Sequence, residues 1–287
     1  MATARIALGL EYDGSDFFGW QSQPGGNTVQ DALETALAAV AQQPIRVHCA
    51  GRTDTGVHAS GQVVHFDVDV ARPLTAWVRG VNAHLPPAIA VLWAKPTSAA
   101  FHARFSAQSR RYRYLLLNRP TRPGLLARRV GWYHRPLDCS QMADAGRLLL
   151  GTHDFSSFRS SACQAKSPIK TLHQLTVTRM GDLVTFALEA DGFLHHMVRN
   201  LVGALLTVGN GSCSATDIEA LLAARNRKLA PPTFAPDGLY FDGPTYDAAI
   251  DIPNYSRGDT ALNHADAIAS LSSAQMADVD RAGARRT

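Results

Sequence analysis

Residues 110–118 read RRYRYLLLN, and arginine and tyrosine alternate through the start of that run. Only an extended strand puts Tyr112 and Tyr114 on one face and Arg111 and Arg113 on the other. Strands are also expected at 5–12, 45–49, 62–68, 88–95, 172–179 and 183–190, the last two paired across Met180-Gly181-Asp182. Between the strands the period changes. Val29, Leu33, Leu37 and Val40 share one apolar helical face behind a cap at Asn27 or Thr28. Further helices are expected over 74–84, 142–150, 195–208 and 215–224, the last behind Ser214. Helices and hairpins in this order predict an α+β fold: two related α/β domains, mainly antiparallel, around a shared central cleft.

A chain of 287 residues has room for one large domain or two ordinary ones. The expected division is 1–120 and 121–253, with the boundary inside 120–136. The small, polar residues 254–287 are expected to form a flexible tail. The segment FFGWQSQPGGN, residues 17–27, is too rich in glycine for a regular element and reads as an exposed aromatic loop. No signal-peptide pattern opens the chain and no stretch reaches membrane-spanning length. Cys49, Cys139, Cys163 and Cys213 lack CxxC spacing and read as free, mostly buried thiols. A cytoplasmic protein without membrane association follows.

The net charge of +4 is modest, but it is unevenly spread. From Val70 to Leu137 there is no Asp or Glu, while the same stretch holds eleven arginines and Lys95. Such a one-signed run asks for an anionic partner, unless acids distant in sequence neutralise it. Arginine in place of lysine favours fixed phosphate contacts.

The run AGRTDTGVHA, residues 50–59, places Asp54 among arginine, histidine and glycines. Asp-Thr-Gly is the tripeptide of aspartic proteases, but no second such turn occurs to complete a proton-sharing dyad. Metal binding by Asp54 and His58 lacks a third nearby ligand, and Gly56 argues against a helix there. The adjacent His195 and His196 are expected to point in different directions on a helix. On the residues alone, Asp54 as a turn cap and Asp54 as a catalytic carboxylate both remain open.

Longer motifs carry a specific resemblance. GLEYDGSDFFGW, AGRTDTGVHASGQVVHF, NAHLPP, FHARFSAQSRRYRY, GTHDFSSF and FLHHMVRNLVGALLTVG stand in this order between Arg5 and the DGLYF segment at 237–241. In this the chain resembles the tRNA pseudouridine synthase A family. The resemblance implies a homodimer that isomerises uridine to pseudouridine at tRNA positions 38, 39 and 40, with neither metal nor organic cofactor. It places the family's catalytic aspartate on Asp54, its active-site tyrosine on Tyr112, and the arginine that pairs with the aspartate on Arg199. Arg52 matches the arginine that holds the target nucleotide out of its helix. The residue after the aspartate is often alanine or lysine in the family and is Thr55 here.

The implied chemistry suits these residue types. The N1–C1′ bond breaks, the uracil turns, and C5 joins the same sugar. A carboxylate can act there as nucleophile or base, or can stabilise a cationic sugar. Tyr112 would stack on the uracil and orient it or relay a proton. A target beside a stem must be extruded first, and duplex RNA is read mainly by shape. Arg104, Arg110, Arg111 and Arg113 are the phosphate-contact candidates. His58 is expected to meet a turn or the substrate's phosphate rather than move protons. Phe17, Phe18 and Trp20 would line the RNA entrance or, equally well, pack within their own loop. The alternative is a non-catalytic tRNA-binding or tRNA-folding protein, which would explain the basic run but not Asp54, Tyr112 and Arg199 together.

Overall fold

The computed structural model describes residues 3–253, so the expected tail over 254–287 lies outside the described residues. Its strands are β1 (Ala4–Tyr12), β2 (His48–Cys49), β3 (His58–Val68), β4 (Ile89–Thr97), β5 (Ala107–Asn118), β6 (Gly131–Tyr133), β7 (Gly151–Asp154), β8 (Ile169–Met180), β9 (Leu183–Ala190) and β10 (Leu239–Tyr246). They form one ten-stranded sheet in the order β4-β1-β3-β10-β5-β9-β8-β7, with β2 beside β3 and β6 beside β5. Pairing is antiparallel except between β10 and β3 and between β5 and β6. The strand with alternating arginine and tyrosine, β5, is therefore central: Tyr112 pairs with Phe241 of β10 and with Leu188 of β9.

The helices are α1 (Val29–Ala41), α2 (Cys139–Arg147), α3 (Met197–Gly209) and α4 (Ala215–Ala224). Thr28 caps α1 by accepting the Asp31 N–H, and Ser214 with Asp217 forms a reciprocal capping box on α4. The helix expected over 74–84 contains a π-helical turn at Ala76–Gly80 that buries Trp77 against Phe66. The strand expected at 45–49 keeps only His48–Cys49. Among the described residues no helix is long and apolar enough to cross a membrane.

Two large apolar cores and a small third one, around Leu115, Leu117, Val130 and Leu183, share the sheet. The first joins α1 and the Trp77 turn to β1, β3 and β4; the second joins α2, α3 and α4 to β5, β8 and β9. Tyr112 packs against both. The expected cut at residue 120 does not separate them, because the sheet is continuous and β10 returns to the first half. Its Phe241 and Tyr246, with Ile252 beyond, complete the first core. The loop at 17–27 is likewise less open than expected: Phe17 and Trp20 are buried, and only Phe18 is exposed. All four cysteines are free and each is partly exposed rather than buried.

His65 stands in β3 at 2% exposure. Its Nδ1 accepts the Ala103 N–H at 3.1 Å. Burial, then the charge of neighbouring His102, Arg5 and His48, lowers its pKa to about 4. In the unfolded chain the same imidazole protonates at the ordinary value near 6.5. Between those values the unfolded state binds the extra proton, so this contribution to stability is present above pH ~6.5 and is lost as pH falls toward ~4. Thermal unfolding across that window should show a falling midpoint, with a shallower fall in His65→Gln. Equal slopes for the two proteins would contradict the assignment.

Candidate active site

Asp54 occupies the loop between β2 and β3, and neighbouring backbone sets its course. The Trp20 N–H donates to the Thr53 carbonyl at 3.0 Å, and the Gly56 N–H to the Phe17 carbonyl at 3.4 Å. Gln62, fully buried on β3, brackets Gly51 by donating to its carbonyl at 2.6 Å and accepting its N–H at 3.4 Å. The Tyr12 hydroxyl lies 2.8 Å from the Thr53 hydroxyl. Two glycines permit the close approach. A Cβ on Gly14 would lie 2.0 Å from the Val57 carbonyl oxygen, and one on Gly19, whose φ is +87°, 2.7 Å from that of Thr53.

So placed, the Asp54 carboxylate is partly exposed and meets three side chains. Arg199 Nη1 donates to Oδ2 at 3.2 Å, while its Nε donates to the Phe234 carbonyl at 2.8 Å and fixes the guanidinium. His195 Nε2 stands 3.3 Å from Oδ1, and His196 Nε2 stands 3.5 Å from Oδ2. The expectation that the two histidines diverge fails for a local reason. The helix begins only at Met197, and His196 precedes it in the left-handed region at φ 64°. This turn brings both rings together, 3.9 Å between centroids, over the same carboxylate. Burial lowers the pKa of His196 more than the Asp54 charge raises it. The Asp54, His195 and His196 donor atoms lie within 4.8 Å of one another. A metal ion there would compete with the Arg199 guanidinium for the same oxygen, so the donor set fits a hydrogen-bonded carboxylate better than a cation.

Tyr112 supplies the aromatic wall. Phe193 meets its ring edge-on at 5.0 Å, and Phe241 is tilted against it at 5.0 Å. Phe241 also backs the Asp54 loop, since a Cβ on Gly51 would sit 3.0 Å from its ring. Burial, then the nearby Asp54 carboxylate, pushes the Tyr112 phenol above its ordinary pKa. It is therefore a neutral hydroxyl at physiological pH. His195, His196, Phe193 and Phe241 were missed as site residues; the string FLHHMVRN contained three of them, beside Arg199.

Other expected contacts separate by placement. Arg52 and Arg104 are exposed, and no described acid pairs with either. Arg110 is spent on the carbonyls of Ala107, Asp191 and Arg104. Arg113 binds Asp242 at 3.1 Å, and Arg111 keeps a buried Nε without a partner. Both belong to the face opposite Tyr112. His58 is not available to a substrate. It is 2% exposed, its Nδ1 accepts the Gly14 N–H, its Nε2 faces the Arg128 and Asp237 carbonyls, and Tyr240 stacks on it.

The family model for tRNA pseudouridine synthase matches residues 10–106 and 145–247. The chain is 60% identical over 250 residues to the tRNA pseudouridine synthase A of Dechloromonas aromatica, covering 87% of this chain and 95% of that protein. It is equally identical, at 60% over 251 residues, to the namesake of Chromobacterium violaceum, covering 87% and 96%. The chain belongs to the tRNA pseudouridine synthase A family. A third family member, from Bordetella parapertussis, is 56% identical over 262 residues, 91% of this chain and 97% of its own. Asp54 and Arg52 fall in the first matched block and Arg199 in the second, while Tyr112 lies between the blocks.

The packing of Gly14 against Val57 makes a stability test of the loop. Gly14→Ala must displace backbone and should destabilise the protein by about 1–3 kcal/mol or more. Gly124→Ala, with nothing within 4 Å of the added atom, serves as control and should stay within about 0.5 kcal/mol. Denaturant unfolding of the two variants checks the difference.

Proposed function

We propose that this protein converts uridine to pseudouridine in the anticodon stem-loop of tRNA, at positions 38, 39 and 40, with Asp54 as the catalytic residue. The observation that carries this reading is the Asp54–Arg199 pair, with Tyr112 near enough for the carboxylate to raise its phenol pKa. Family membership supports the reaction class. The carboxylate is held from one side by a guanidinium that is itself fixed, so it meets the sugar in a set orientation. It then acts as nucleophile or base, or stabilises the sugar cation, as N1–C1′ breaks. Uracil stacked on Tyr112 turns and offers C5 to C1′, and the C5 proton leaves last. Tyr112 cannot take that proton as a phenolate, because its pKa is raised; its hydroxyl orients the base or passes a proton on. His195 and His196 brace the carboxylate. Arg52 fills or guards the space left by the extruded nucleotide. No organic cofactor or metal has a step in this scheme.

The homodimer, the cytoplasmic location and the tRNA partner belong to the same proposal and are supported by the family. A binding-only role would leave the Asp54–Arg199 pair without a purpose.

The decisive assay is tritium release from unmodified tRNA labelled at uridine C5. The wild-type protein should release label, and Asp54→Asn should lose at least about 10³-fold in rate while still binding tRNA. Arg199→Lys, which cannot hold both Phe234 and Asp54 in the same fork, should lose about 10²-fold. Tight binding by the folded wild-type protein without release would favour the binding-only role. The rate should also show no limb from phenol ionisation up to pH ~10, and Tyr112→Phe should leave that region of the profile unchanged.

A further inference from the structure

Four rings form a column beside the catalytic loop. Phe101, in the core at 3% exposure, meets His65 edge-on at 5.9 Å, and His65 meets His102 at 4.6 Å. His102 in turn lies 4.3 Å from Phe105, their planes 33° apart. Phe105 ends the column at 74% exposure. A single exposed apolar ring needs no explanation in itself. This one differs because the turn that presents it is braced at several points.

Arg5 donates to the Phe101 carbonyl at 2.8 Å, the Tyr246 hydroxyl to that of Ala103 at 2.7 Å, and Arg110 to that of Arg104. The His102 Nδ1 accepts the N–H groups of Arg104 and Phe105 at 3.2 and 3.3 Å. A ring nitrogen that accepts carries no proton, so His102 is a neutral aromatic support under Phe105. Beside it, the exposed Arg104 guanidinium stands 5.6 Å from the Phe105 ring centroid. The turn borders the site on two sides. β2 leads from His48, stacked on His65 at 5.0 Å, into the loop of Arg52 and Asp54. β5 leaves the turn at Ala107 and carries Tyr112.

We propose that Phe105 and Arg104 form a stacking platform for an unpaired nucleobase of the substrate RNA, at a nucleotide other than the one that reacts. The inference rests on the tRNA-modifying reading above. The exposed ring gives a base of any identity a surface to stack on, and Arg104, now over the ring at 5.6 Å, pairs with the adjoining phosphate. The rigid turn lowers the ordering cost of binding. Charge decides between RNA and a second copy of this chain as the occupant: self-association through the turn would bring like-charged Arg104 residues together, whereas RNA brings the missing anion.

The test uses the Asp54→Asn chain, so that turnover does not intervene, and compares Phe105 with Ala, Leu and Trp at that position. At fixed salt, the Kd for unmodified tRNA should rise at least about fivefold with Ala or Leu and return to within about twofold of the parent with Trp. 2-Aminopurine placed along the anticodon loop should be quenched at one position by the parent and the Trp variant, and not by the Ala variant. Equal affinities for all four proteins would overturn the proposal. So would a sedimentation shift in Phe105→Ala with RNA affinity unchanged, which would assign the ring to a contact between copies. Tritium release by the wild-type protein is read separately: stacking without release would sink the isomerase reading and leave the platform standing.

Discussion

Strand β10 is hydrogen-bonded to β3 along one edge and to β5 along the other, and this double pairing holds the two helical cores in one frame. Without it the sheet would fall into β4-β1-β3, carrying Asp54, and β5-β9-β8-β7, carrying Tyr112 and backing Arg199. Side chains reinforce the join. Asp242 of β10 binds Arg113 of β5 at 3.1 Å and accepts the Ser60 hydroxyl of β3 at 2.7 Å. On the opposite face Phe241 touches both Gly51 and Tyr112. One short strand therefore sets the distance between the carboxylate and the aromatic ring. Three strands meeting through one partly buried carboxylate resist shear better than backbone pairing alone.

The electrostatics of the site follow from that frame. A lone carboxylate in a partly enclosed cleft is costly unless it is paired, and a symmetric bidentate clamp would tie up both oxygens. Arg199 avoids that extreme by spending Nε on the Phe234 carbonyl and offering a single nitrogen to Oδ2. Oδ1 then faces only His195, the most exposed of the three neighbours. Oδ1 is thus the oxygen that the Arg199 guanidinium does not hold.

Most strands and helices were legible because their signals are local. Period-two runs, Thr28 and Ser214 as caps, and Met180-Gly181-Asp182 as a turn are decided within a few residues. The position of β10 was not, since its partners are more than a hundred residues away in sequence and its aromatic-rich run reads equally well at an edge. The motif string located Asp54 and Arg199 but not the histidines, whose direction depends on a left-handed residue just before α3. Of the two expectations for His58 the turn contact fits and the phosphate contact does not, for a related reason. A histidine in a glycine-rich turn looks exposed until a distant strand brings Tyr240 over it and the Arg128 and Asp237 carbonyls to its edge.

The acid-free arginine run has two destinations. Arg113, Arg119, Arg128 and Arg129 find Asp242, Asp182, Asp16 and Asp13, so that part of the run serves to tie the back of the sheet and the 119–135 segment to the rest. Such pairs, most of them partly exposed, contribute little stability one by one, but they fix where the segment lies. The asymmetry of the run is thus partly cancelled in space. Arg104, like Arg52 ahead of the run, stays exposed with no described acid beside it, and Arg52 lies in the loop that β2 leads into. Positive charge left exposed near the Asp54 loop draws an anionic strand toward it before any contact forms.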